Sequence, residues 1–133
     1  MLLLDAGVWV ALADPGEKFH DHAEALVSSR QPLTALDLTL FEVANAVGVK
    51  MGNQARAKRI GLILFSRCKD HLVRVNPELM AEAVEIATEH GITAYDAAYV
   101  AAARRHGWTL VSADIRDLVS KGLAVAPDAA DYP

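Results

Sequence analysis

Continuous apolar runs alternate with stretches of helical periodicity along this chain. Leu2-Leu3-Leu4 has the unbroken apolar pattern of a strand buried on both faces. Asp14-Pro15-Gly16 is a turn signal, after which Phe19, Ala23, Leu26 and Val27 recur at helical spacing. Residues 33–36 read as a second strand. A helix follows from 38 to about 51, with Leu40, Phe41, Val43, Ala44 and Val47 apolar and Gly52 as its stop. The next helix spans roughly 54–69 and turns Ile60, Leu62, Ile63, Leu64 and Phe65 inward. Residues 71–75 form a short strand in which Val73 and Val75 alternate with Arg74. Pro77 occupies a favoured first-turn position of a helix that runs to His90 and ends at Gly91. Thr93 opens another helix through His106, stopped by Gly107. A strand through Val111, a short helix from 115 to about 120, and an apolar run at 123–125 follow, and residues 127–133 read as irregular.

Strands alternating with helices predict an α/β fold, a three-layer α/β/α sandwich with a mainly parallel central sheet. No repeat, low-complexity segment or linker interrupts residues 1–133, so a single domain is expected. At 133 residues the chain is long enough to bury a core without disulfide staples. The single Cys68 cannot pair internally, and no Cys/His spacing resembles a zinc site. No apolar stretch approaches the ~20 residues of a membrane helix. Leu2 to Leu4 run straight into Asp5 without a cationic lead, so a soluble cytoplasmic protein is expected. The net charge of −4 argues against nonspecific affinity for nucleic acid. Acids gathered at one cation site would leave the remaining surface closer to neutral.

Four carboxylates stand where this alternation delivers side chains to one place. Asp5 closes the first apolar run and Asp114 follows Thr109-Leu110-Val111-Ser112-Ala113. In a parallel sheet, ligands bind beyond the carboxyl ends of strands. Glu42 and Asp96 each fall in the first turns of an apolar helix that can pack beside that crevice. Carboxylates crowded together repel unless a cation holds them, and hard oxygens suit Mg²⁺ or Mn²⁺. A metal-dependent hydrolase of phosphodiesters follows from this set.

Each acid also has a plainer explanation. Asp37 is placed to cap the helix beginning at Leu38. Thr39-Leu40-Phe41-Glu42 matches a capping box, and Thr93-Ala94-Tyr95-Asp96 matches its looser form, so Glu42 and Asp96 could each be cap partners. The combination with Asp5 favours the cation site, because a charge directly after three leucines is costly without a partner.

Four segments carry a family resemblance. Leu2-Leu3-Leu4-Asp5-Ala6, Leu40-Phe41-Glu42-Val43-Ala44-Asn45-Ala46, Tyr95-Asp96-Ala97-Ala98-Tyr99-Val100-Ala101-Ala102-Ala103 and Leu110-Val111-Ser112-Ala113-Asp114 together resemble the PIN domain. The likeness is nearest to the VapC-type toxins of toxin–antitoxin pairs. It implies a Mg²⁺- or Mn²⁺-dependent ribonuclease with its acidic site at Asp5, Glu42, Asp96 and Asp114, and with Asp117 as a less regular fifth member. It also implies a homodimer and a cognate antitoxin. Ser112 takes the place of a family hydroxyl able to orient Asp114 or a water. Gly7 departs from the pattern, which usually has Ser or Asn there, and its missing side chain removes one candidate donor near the metal.

The chemistry expected is in-line attack by a metal-activated water, leaving 5′-phosphate and 3′-OH ends because the RNA 2′-OH is not consumed. Lys50, Arg56, Lys58, Arg59, Arg104, Arg105 and Arg116 are candidate RNA guides. Arg116 is the expected phosphate contact, since it lies between Asp114 and Asp117. The five histidines share no face and read as structural. Trp9, with Val8, Val10 and Leu12, belongs to the core or to a dimer surface. Two readings stand beside the toxin. One is the same nuclease in ordinary RNA processing without an antitoxin, and the other is a degenerate fold serving as an interaction module. A phosphotransfer receiver would need a second acid beside Asp5 and a lysine after a late strand, and neither is evident.

Overall fold

The computed structural model describes residues 1–130. Its centre is strand β1 (Leu2–Leu4), flanked by β2 (Leu33–Thr34) and β3 (Thr109–Val111) in the order β2-β1-β3, both pairings parallel. Leu2 stands beside Leu33 and Thr109, and Leu4 beside Val111. Side chains alternate across a strand. Leu2 and Leu4 accordingly join one buried cluster, with Trp9, Leu26 and Leu64, while Leu3 joins the other, with Leu36, Leu79, Tyr99 and Leu110. Apolar burial on both faces explains why the strand reads as three consecutive leucines, and it makes the three-layer α/β/α sandwich that the sequence predicts.

The strand expected at 71–75 shrinks to a single parallel bridge, Leu36 with Val73, and the apolar run at 123–125 likewise makes one, Val111 with Val125. Asn76 already caps the following helix by accepting from Leu79 N–H at 2.8 Å, which leaves little chain for a strand before it. The tail expected to be irregular from 127 carries a 3₁₀ turn, Pro127–Ala129, and residues 131–133 of that expectation lie outside the described residues.

Helix α1 (Ala6–Ala13) leaves β1 directly, and no periodicity announces it because Ala-Gly-Val-Trp-Val-Ala-Leu-Ala is apolar on every side. Asp5 is its N-cap, with the side chain accepting from Val8 N–H at 3.2 Å. Trp9 is fully buried on this helix and belongs to the core. Helix α2 (His20–Ser28) follows as predicted. Helix α3 (Leu38–Val43) continues as a π-helical stretch, Ala44–Lys50, over the length expected for one helix. Helix α4 (Gln54–Cys68) packs against that stretch, and a Cβ on Gly48 would stand 3.2 Å from the Ala57 Cβ, so the close approach there favours glycine. Ile60, Leu64 and Cys68 face inward at a spacing of four, whereas Leu62 is 74% and Phe65 50% exposed, contrary to the expectation that both are core. Burial pushes the Cys68 thiol up to about 11, with Arg67 opposing, which makes it an inert core residue.

Helix α5 (Pro77–His90) and helix α6 (Ala94–His106) stop at Gly91 and Gly107, both at left-handed φ, as their sequences predict. Every residue from Ala97 to Ala103 is buried, so α6 is a core helix whose alanines permit close packing on the sheet. A short π-turn, Ile115–Val119, follows β3.

Candidate active site

The crevice beyond the carboxyl ends of β1 and β3 is a cleft of about 320 Å³ lined by Asp5, Glu42, Asp96 and Asp114 together with Gly7, Glu17 and Tyr99. The topology delivers each acid differently. Asp5 is 6% exposed and continues the β ladder through its N–H, which donates to Val111 O at 3.1 Å. Asp114 begins the Ile115–Val119 turn. Its carboxylate accepts from Asp117 N–H at 2.9 Å and its own N–H donates to Ser112 Oγ at 2.9 Å. Asp96 lies in the first turn of α6, where Thr93 Oγ1 accepts its N–H at 3.1 Å, as the looser capping pattern predicts.

Glu42 is not held by the capping box its sequence suggests. Thr39 lies inside the first turn of α3, and its hydroxyl points to Leu36 N–H and Tyr99, so it cannot cap. The carboxylate of Glu42 instead accepts from the Tyr99 hydroxyl at 2.7 Å. Asp37 does not cap α3 either. Its backbone is already helical and its carboxylate reaches across to Val75 N–H at 3.3 Å.

Burial raises Asp5 from 3.8 to about 7, and the Asp96 and Glu42 charges add to the rise while Ser112 and Val8 N–H oppose it. Burial also raises Glu42, with the Tyr99 bond opposing and Asp96 adding. Asp96 is raised by burial and then by Asp114, with Thr93 opposing and Asp117 contributing a smaller push. Asp5, Glu42, Asp96, Asp114 and Asp117 thus form one electrostatic group. No lysine, arginine or histidine is among the cleft-lining residues. A set made only of carboxylate oxygens, destabilised by its own charge, fits a hard divalent cation.

Among the described residues, only His20, Asp21 and Glu24 bring three ligand atoms within 4.8 Å of one another. That group is largely exposed and shares its cavity with Arg56 and Arg59, whose charge opposes a cation, and His20 Nδ1 is engaged with Ala11 O at 2.8 Å. No three of the cleft acids converge to that spacing, so an ion shared among them would be held in part through water.

At Gly7, a Cβ would stand 3.3 Å from both Ala113 Cβ and Asp5 Oδ1, so glycine accompanies a tight approach of α1 to the Ala113 backbone region. Val8 N–H donates to Asp5 Oδ1 at 3.2 Å, and the Ser112 side chain also opposes the rise in its pKa. Among the basic candidates, Arg105 is tied to Glu78 and Glu82 near the far end of α6, about 14 Å along the axis from Asp96. Arg56 donates to Ala13 O at 2.8 Å. Arg116 is exposed beside Asp114, and Lys50 shares a neighbouring cavity with Glu42, Phe41 and Tyr95. No site role is expected from the sequence for Tyr99, Thr39 or Glu17, yet all three bear on the cleft. The first two had a signal, since Thr39 precedes Glu42, and Tyr99 follows Asp96, by the three residues that share a helix face.

The acid-rich cleft opens where the strand order reverses, between β1 and β3, as ligand sites of parallel sheets do. The PIN domain family model matches residues 2–120, and the chain belongs to that family. It is 36% identical over 124 residues to ribonuclease VapC3 of Pyrobaculum aerophilum, spanning 90% of this chain and 93% of the relative. It is 32% identical over 127 residues to exonuclease VapC9 of the same organism, spanning 90% of this chain and 84% of the relative. A toxin–antitoxin complex from Klebsiella pneumoniae contains a chain of the same fold, with a TM-score of 0.70 at 18% identity, covering 96% of this chain and 98% of that one.

Proposed function

We propose that residues 1–133 form a single-domain, divalent-metal-dependent endoribonuclease that acts as the toxin of a toxin–antitoxin pair in the cytoplasm. The observation that carries this reading is a cleft lined by Asp5, Glu42, Asp96, Asp114 and also Glu17, with no cationic side chain in its lining. Asp5, Asp96 and Asp114 would hold Mg²⁺ or Mn²⁺ directly, and Glu42 directly or through water. When bound, the ion neutralises phosphodiester charge and makes a water nucleophilic at neutral pH. Ser112 would steady the site by favouring the ionised form of Asp5 and by accepting the Asp114 N–H, and Asp117 would add negative charge beside Asp96. Arg116, on the turn that carries Asp114, contacts an RNA phosphate.

The related proteins bear the names ribonuclease and exonuclease, so the mode of cleavage needs its own experiment. Glu42, Asp96 and Asp114 are only part-buried, which supports access by an internal stretch of RNA. A circular single-stranded RNA should be opened in Mg²⁺ or Mn²⁺, with 5′-phosphate and 3′-OH ends, and left intact in EDTA. An intact circle beside a shortened linear RNA would make the enzyme an exonuclease. Undiminished cleavage in chelator would remove the metal.

Phe41, Val49, Leu62 and Phe65 stay exposed on α3, its π extension and α4, more apolar surface than an isolated domain needs. We expect a homodimer at micromolar concentration by light scattering, and a clean monomer mass refutes it. The acid cleft also suits an arginine fork from an antitoxin, which would compete with the metal for the same oxygens. Co-expression with the upstream reading frame should recover that partner. Failure to co-purify one favours ordinary RNA processing.

A further inference from the structure

We propose that Tyr99 is a positioning residue for Glu42, acting through an oriented chain of hydroxyl groups that starts at the backbone of β2's exit. The inference rests on the metallonuclease reading above and extends it to residues outside the carboxylate set. Leu36 N–H donates to Thr39 Oγ1 at 3.2 Å, Thr39 Oγ1 and the Tyr99 hydroxyl lie 2.7 Å apart, and the Tyr99 hydroxyl donates to Glu42 Oε1 at 2.7 Å. Proton counting fixes the direction. A phenol has one proton, and here it is spent on the carboxylate, so Thr39 must donate to Tyr99 while accepting from Leu36 N–H.

Every link before Glu42 is dry, since Leu36 and Thr39 are fully buried and Tyr99 is 1% exposed. In such surroundings a hydroxyl has no water to turn towards, and a broken link leaves a buried donor or acceptor unsatisfied. Glu42 therefore has one oxygen anchored and its other oxygen left for the cleft. Tyr99 lies three residues after Asp96 on α6, so one helix face presents both to the cleft, and the relay locks α3 to α6 at the height of the acids. A side chain as mobile as glutamate would otherwise sample several rotamers, and presenting one to the ion avoids that entropy loss on binding.

The test is Mn²⁺ affinity, read by electron paramagnetic resonance or calorimetry on folded protein well below its Tm. Tyr99→Phe, which removes only the hydroxyl, should raise the Mn²⁺ Kd by about tenfold. Thr39→Val should also weaken binding, and Thr39→Ser, which keeps the hydroxyl, should restore it. In a Glu42→Ala background Tyr99→Phe should have no further effect on Kd, because nothing remains to be positioned. A Tyr99 that only supports the core would lower Tm in both backgrounds and leave Kd unchanged, and that result overturns the proposal. So does an additive loss in the Glu42→Ala background. Absence of Mn²⁺ binding by the wild-type protein overturns the metal reading itself and this role with it, whereas normal wild-type binding that survives Tyr99→Phe overturns the role alone.

Discussion

Asp5→Asn should reduce RNA cleavage by on the order of a hundredfold or more while making the metal-free protein more stable. The two effects have one cause. Asp5 sits behind three buried leucines with its carboxylate desolvated and two other acids pressing on it, so its charge is costly until a cation arrives. Asparagine removes that charge yet can still accept from Val8 N–H, and it is as good an N-cap for α1 as aspartate. At roughly 1.4 kcal/mol for each tenfold displacement of a proton equilibrium, the rise from 3.8 to about 7 caps the gain near 4 kcal/mol at pH 8. A gain of several degrees in Tm is expected by scanning calorimetry in EDTA. Asp96→Asn, Asp114→Asn and Glu42→Gln should be comparably damaging to cleavage, and Asp117→Asn milder. If Asp5→Asn unfolds the protein and the remaining folded fraction keeps its specific activity, the acid is structural and the proposed site is wrong.

The second large effect is a reversal of pH dependence by metal. In the unfolded chain Asp5 titrates near 3.8, and in the folded chain near 7. Between those values the native state holds the extra proton, so stability of the metal-free protein falls as pH rises through that window, by up to about 1.4 kcal/mol per pH unit. The loss runs on through the folded value and levels off only about a unit above it. The raised Glu42 and Asp96 act in the same direction. Mn²⁺ binds the deprotonated native site, so its stabilisation should be small near pH 5 and reach about 2.7 kcal/mol at pH 8 with the ion at a hundred times its Kd. Thermal melts from pH 5 to 8, with chelator and with Mn²⁺, measure both slopes. A flat profile in chelator that Mn²⁺ does not alter would show that the acids are neither strained nor bridged by a cation.

Much of the molecule could be read directly because its patterns are local. Three consecutive leucines mark a strand covered on both sides, and glycine after a helical period marks the stops at Gly91 and Gly107. Asp5 and Asp114 stand at strand ends, and the parallel order β2-β1-β3 opens both onto one crevice. The fold class and the gathering of the four acids were therefore determined by the sequence alone.

Other features depend on partners far along the chain. α1 carries no periodic signal because it is apolar all round, and only its burial between layers identifies it. Leu62 and Phe65 look like core residues by composition, yet the phase of α4, set by Ile60, Leu64 and Cys68 on the sheet side, turns them outward. Asp37 and Thr39 have the chemistry of caps, but Asp37 bonds Val75 N–H and Thr39 bonds Tyr99, residues 38 and 60 positions away. Glu42 meets Tyr99 across 57 positions. A hydroxyl or carboxylate takes whichever buried donor packing brings to it, since leaving that donor unpaired costs more than forgoing a local cap. The sequence thus decided which acids share the cleft, and tertiary packing alone decided which buried groups hold them there.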